Sequence, residues 1–188
     1  MKLYGSYTSP FVRHCRIALA ECALPFEFVT TDYEQSARLS PTRKVPMLAD
    51  GDLKLTDSTS ILRHIRERGG QPFFPSLVDF DRYLMANTAL DSAVNLFLLE
   101  KDGVTPATSP YLKRQSERVA GTLSALDATL PDDAQPPYSD GQLRLGCFLS
   151  WALFRERLTL DGYPRLAALL AALDRYPPFA ATHPSLSG

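Results

Sequence analysis

The sequence predicts an α/β unit followed by an all-helical one, two domains within 188 residues. Short apolar or aromatic runs alternate with helical periodicity through the first 70 residues. The stretch Gly69-Gly70-Gln71-Pro72-Phe73-Phe74-Pro75 then cannot continue a helix. Beyond it, apolar residues recur only at helical spacing. The expected division is therefore an α/β domain over 1–70, a linker over 71–77 and a helical domain over 78–188.

Leu3 to Ser6 reads as a first strand. Ser9-Pro10 then opens a helix, with Ser9 as N-cap and Pro10 at the first helical position, where its missing N–H costs nothing. Phe11, Cys15, Ala18, Leu19 and Cys22 give that helix its apolar stripe until Pro25 intervenes. Phe26-Glu27-Phe28-Val29 is aromatic and β-branched, which suits a second strand, parallel to the first after such a crossover. A polar helix is expected from about Asp32 to Leu39. Val45-Pro46-Met47-Leu48 and Leu53-Lys54-Leu55 flank the turn dipeptide Asp50-Gly51 and form an antiparallel hairpin. Asp57-Ser58 opens a helix with Ile61, Leu62 and Ile65 on one face, ending at Gly69-Gly70.

In the second half, Tyr83, Leu90, Val94 and Phe97 make one helical stripe. Val119, Leu123, Leu126 and Leu130 make another after Ser109-Pro110, and the two helices should pack antiparallel. From Ser139 to about Arg157 apolar residues occur nearly all round, the mark of a buried helix. Ser139 and Gln142 supply a capping box whose cap contributes about 1 kcal/mol. A last helix follows Tyr163-Pro164, and Tyr176-Pro177-Pro178-Phe179 reads as a short docking segment.

Composition narrows the function. A formal net charge of −1 with scattered Lys and Arg offers no basic stripe for nucleic acid or an anionic membrane. No apolar run approaches a membrane span and the N-terminus lacks a signal-peptide core, so a cytoplasmic protein is expected. Cys15, Cys22 and Cys147 form no C-x-x-C and do not cluster with histidines, so reduced thiols and no metal site are expected.

Strand, helix, strand, helix, hairpin, helix, with a proline opening the hairpin, resembles the thioredoxin fold. Ser9-Pro10-Phe11-Val12-Arg13, Lys44-Val45-Pro46-Met47-Leu48 and Asp57-Ser58 also stand in the order and spacing of the glutathione S-transferase N-terminal domain. With the helical half, the chain resembles serine-type, bacterial-like members of that superfamily over nearly its whole length. The fold implied is a mixed four-stranded sheet with helices followed by a helical bundle. The implied ligand is glutathione as co-substrate, and the implied activity is transfer of its thiol to an apolar electrophilic small molecule, as in detoxification.

The resemblance implies roles for individual residues. Ser9 would donate its O–H to the glutathione thiolate. Val45, before a cis Pro46, would pair with the cysteinyl backbone as an added strand. Ser58 and the helical turn it opens would hold the γ-glutamyl carboxylate, with Asp57 accepting from the ammonium group. Lys44 could reach the glycyl carboxylate. Phe11 joins this set, and Tyr111 is a further pocket candidate. A homodimer, with the electrophile in an apolar pocket between domains, is also implied. Arg43 stands where the family commonly has glycine. The residues alone leave other readings open: Ser9 and Asp57 as plain helix caps, Tyr4 or Tyr7 as the hydroxyl donor, and Asn87, Asp91 and Asn95 as a solvated helix face. A non-catalytic glutathione-binding or regulatory module is the alternative function, and a thiol-disulfide oxidoreductase a third, disfavoured by serine at position 9. Conjugation, isomerisation, dehalogenation and peroxide reduction all stay open.

Overall fold

A computed structural model describes residues 1–186; Ser187 and Gly188, the end of the expected helical domain, lie outside the described residues. The sheet has order β2-β1-β3-β4. Its strands are β1 (Lys2–Gly5), β2 (Glu27–Thr30), β3 (Met47–Asp50) and β4 (Leu53–Leu55). β1 runs parallel to β2 and antiparallel to β3, and β3 antiparallel to β4. The helices of this part are α1 (Pro10–Glu21), α2 (Tyr33–Leu39) and α3 (Ser58–Arg68). This is the thioredoxin-like arrangement expected.

Three strands differ from expectation in their boundaries, β1 covering Lys2–Gly5 rather than Leu3 to Ser6. β2 starts one residue later than the Phe26 run, because its ladder pairs Lys2–Gly5 with Glu27–Thr30. β3 starts at Met47, with the cis Val45–Pro46 bond just outside the strand. α2 is capped by Asp32 in a capping box with Gln35, which explains how a seven-residue polar helix holds its first turn.

The chain divides into two compact units, Ser76–Arg175 and a first unit of Met1–Pro75 together with the chain from Tyr176 onward. The tail was expected within the helical half. It belongs to the first unit because polar groups of α1 bind it. Arg13 donates to the Phe179 carbonyl at 2.9 Å and to Thr182 at 3.2 Å. Its guanidinium also lies 3.8 Å from the centre of the Phe179 ring. Glu21 receives Arg66 at 2.6 Å and the Tyr176 hydroxyl at 2.8 Å. Leu3, Leu48, Val12, Leu19, Ile61 and Ile65 fill the core between sheet and helices, and α8 (Pro177–Ala180) packs on α1.

The second unit holds α4 (Leu77–Lys101), α5 (Pro110–Thr129), α6 (Asp140–Phe154) and α7 (Pro164–Leu173). α5 folds back along α4, and buried Ser92 and Gln115 are hydrogen-bonded across them at 2.9 Å. α6 is buried nearly all round, as its composition predicts. Its capping box is present, and the Ser139 hydroxyl also donates to Asp79 of α4 at 2.5 Å. Fully buried Arg144 donates to the Tyr83 hydroxyl at 2.8 Å. α6 stops at Phe154, short of Arg157, because Glu156 turns into the left-handed region at φ 55°.

Candidate active site

Strand directions gather the expected site at one end of the sheet. β1 leaves the sheet after Gly5, β3 enters beside it with Met47 opposite Tyr4, and β4 leaves after Leu55, opposite Leu48. The segments 6–9, 43–46 and 56–58 therefore emerge at the same end. Each carries residues singled out from the sequence.

Gly5 lets α1 approach the end of β1, since a Cβ there would stand 2.5 Å from a Val12 methyl. Ser6 and Thr8 share a hydroxyl hydrogen bond at 3.0 Å, and the Ser9 N–H closes the turn onto the Ser6 carbonyl at 3.2 Å. Half-buried Ser9 is the N-cap of α1, with its Oγ accepting from the Val12 N–H at 3.4 Å. Capping uses a lone pair and leaves the O–H proton, for which no acceptor is present among the described residues. That hydroxyl stands at the positive end of a 12-residue helix. Phe11 lies half-buried in the first turn.

In the segment before β3, Lys44 is exposed, Val45 half-buried and Pro46 buried. Among the described residues no hydrogen bond engages the Val45 backbone. Arg43 adopts φ 53°, so this loop keeps a glycine-like backbone with a side chain on it. The Arg43 N–H donates to Ser40 at 3.0 Å and its carbonyl accepts from the Ser36 hydroxyl at 3.4 Å. Glycine's absence there was visible in the sequence, whereas retention of its conformation was not.

Asp57 is exposed and caps α3, accepting from the Thr59 N–H at 2.8 Å. Ser58 is buried as the first residue of that helix. Tyr4 is half-buried on β1. Tyr7 packs its ring 4.6 Å from Phe28, and the Arg16 guanidinium lies 4.8 Å above it. Burial there pulls Arg16 below the usual arginine value. All three cysteines are thiols, Cys15 and Cys147 buried and Cys22 half-buried. Asn87 donates to Asp91 at 3.3 Å on one face of α4. Among the described residues no His, Cys, Asp and Glu cluster could hold a metal.

This end of the sheet thus offers two helix N-termini, a free hydroxyl proton and a stretch of open backbone. Residues 3–73 match the family model of the glutathione S-transferase N-terminal domain. The glutathione S-transferase of Methylobacterium radiotolerans, solved with glutathione sulfonate, superposes with a TM-score of 0.83 at 25% identity, covering 97% of this chain and 94% of that one. Over this N-terminal domain the chain is similar to the glutathione S-transferase superfamily. Among curated members of that superfamily, glutathione S-transferase 4 of Zea mays is 39% identical over 72 residues. That match covers 35% of this chain and spans only 32% of the maize protein. The uncharacterized GST-like protein YibF of Escherichia coli is 27% identical over 202 residues, with 98% of each chain covered. In this glutathione S-transferase-like chain the sheet end described above lies within the matched N-terminal domain.

Proposed function

We propose that the protein binds glutathione at this end of the sheet, ionises its thiol beside Ser9 and transfers the sulfur to an electrophilic small molecule. The supporting observation is the Ser9 hydroxyl, whose oxygen caps α1 while its proton has no acceptor among the described residues. A thiol near pKa 8.5 must fall about two units, or about 2.7 kcal/mol, to be mostly ionised at neutral pH. A hydrogen bond to a charged acceptor contributes about 1.5–3 kcal/mol, and a helix N-terminus about 0.3–1, or up to about 2 when partly buried. Together they suffice.

In this reading the open Val45 backbone pairs with the cysteinyl residue, and Pro46 fixes the segment's path. Ser58 and the first turn of α3 take the γ-glutamyl carboxylate, Asp57 the ammonium group and Lys44 the glycyl carboxylate. Phe11 lies in the first turn beyond Ser9 and flanks the bound thiol. The thiol proton leaves to solvent. The sulfur lone pair forms a bond to the electrophilic carbon, whose leaving group departs with its bonding electrons. A cytoplasmic homodimer belongs to the same reading.

Titration calorimetry with glutathione, together with turnover of a generic aryl halide, tests it. Saturable binding is expected in the native protein. Ser9→Ala should lower turnover at least tenfold with little change in glutathione affinity. Unchanged turnover moves the donor to Tyr4, Tyr7 or a backbone N–H. Affinity without turnover in the native protein makes it a binding module, and no affinity rejects the site.

A further inference from the structure

The C-terminal ends of α4 and α6 carry a group of cations around aromatic rings that the glutathione reading does not use. The Arg155 guanidinium lies 5.4 Å from the Phe97 ring centre and 5.1 Å from that of Phe154. Lys101 and Arg157 also approach the Phe97 ring, at 4.5 and 5.5 Å. Trp151 meets the same ring edge-on at 5.7 Å. One acidic side chain, Glu100, joins the group and is taken by Arg157. Among the described residues no carboxylate pairs with Arg155, and its buried Nε–H has no acceptor. Its Nη groups likewise have no hydrogen-bond partner among the described residues, which leaves the outer edge of the guanidinium for a ligand.

The backbone beneath this side chain is fixed. Glu156, at φ 55°, donates its N–H to the Leu153 carbonyl at 3.0 Å, and the Arg157 N–H returns to Ala152 at 2.7 Å. That is a helix-ending Schellman motif built without glycine. The Arg157 Nε also donates to the Arg155 carbonyl at 2.9 Å. Arg155 therefore presents its fork from a pinned helix end, with aromatic rings beside it.

We propose that this cluster is a binding site for a carboxylate with an apolar body. The planar guanidinium matches a carboxylate in two parallel hydrogen bonds. Phe97 and Phe154 supply apolar surface beside it, and Phe154 is 39% exposed. Inorganic phosphate would satisfy the charge and leave the rings uncovered. The site lies wholly within the helical unit and does not rest on the glutathione reading.

Trp151, the chain's single tryptophan, reports on this cluster. The test titrates the full chain with cyclohexanecarboxylate, which does not absorb in the tryptophan range, and follows Trp151 emission without glutathione. A saturable change is expected, at least tenfold weaker in affinity with cyclohexanecarboxamide and with inorganic phosphate. Arg155→Gln should lose at least tenfold in carboxylate affinity, and Arg155→Lys, which keeps charge without the fork, should fall between. No saturable change, equal binding of the amide or of phosphate, or an Arg155→Gln protein that binds as tightly would each overturn the proposal. The carboxamide comparison uses the native protein and stands even if the Arg155 variants fail to fold.

Discussion

Arg13 holds Phe179 twice, donating to its carbonyl oxygen at 2.9 Å and lying 3.8 Å over its ring. The two residues are 166 positions apart in sequence, and both are buried. Arg13 sits one turn beyond Ser9 on α1, so the tail braces the helix whose N-terminus forms part of the candidate site. Phe179→Ala should destabilise the protein by about 3–5 kcal/mol, by cavity formation and loss of the ring beneath a buried cation. Phe179→Leu should cost less. Urea denaturation measures both, and a Phe179→Ala midpoint equal to that of the native protein would refute the brace.

Asp79 is the shared partner of two neighbouring features of α6. It receives the Ser139 hydroxyl at 2.5 Å, and a Cβ on Gly141 would stand 2.6 Å from its Oδ1 and 3.0 Å from its carbonyl oxygen. Ser139→Ala should cost about 0.5–2 kcal/mol through the lost cap. Gly141→Ala should cost about 1–3 kcal/mol through overpacking. Because both changes displace the Asp79 carboxylate, the double variant should lose less than the sum. Additive losses in thermal unfolding would show that the two features act separately.

Arg43→Gly should stabilise the protein by up to about 1 kcal/mol. An L-residue in the left-handed region costs about 1–2 kcal/mol, part of which the more flexible unfolded glycine chain offsets. The N–H and carbonyl bonds to Ser40 and Ser36 are backbone groups of residue 43 and survive the change. A β-branched Arg43→Val should shift the denaturation midpoint the opposite way. Equal midpoints for all three proteins would count against strain at this position.

Asp50 supplies a pH-dependent share of stability. Its carboxylate accepts from His64 Nε2 at 2.9 Å, and that hydrogen bond holds its pKa below the ordinary aspartate value against the opposing effect of burial. Arg68, 3.6 Å away, lowers it further. A depressed folded-state pKa contributes stability that is present above the unfolded value, about 3.9, and is lost as pH falls through the folded value. The stability gap between native protein and Asp50→Asn should therefore narrow as the medium is acidified below about pH 4. A gap independent of pH would remove Asp50 from this account.

What could be read in the sequence was what short segments decide for themselves. Ser9-Pro10, Asp50-Gly51, Asp57-Ser58 and Ser139 with Gln142 each settle a cap or turn through residues within four positions, and each stands where expected. Two of the three segments of the candidate site, 6–9 and 56–58, are of this kind, whereas the left-handed backbone at Arg43 in the third was not legible. Burial of Arg13 and Arg144 was not legible, because a charged residue on a helix is ordinarily solvated and their partners, Phe179 and Tyr83, lie far along the chain. The same distance hid the tail's place in the first unit. Local pattern gave Arg155 as one more cation near a helix end, and only the fold brings Phe97 beside it.

Since the first unit draws on the chain from Tyr176 onward, the order of synthesis and the order of folding cannot coincide. A ribosome delivers Met1–Pro75 and then the whole of Ser76–Arg175 before Phe179 emerges to cover Arg13. The earliest part of the polypeptide is completed last, while the middle can finish on its own as soon as it clears the exit tunnel.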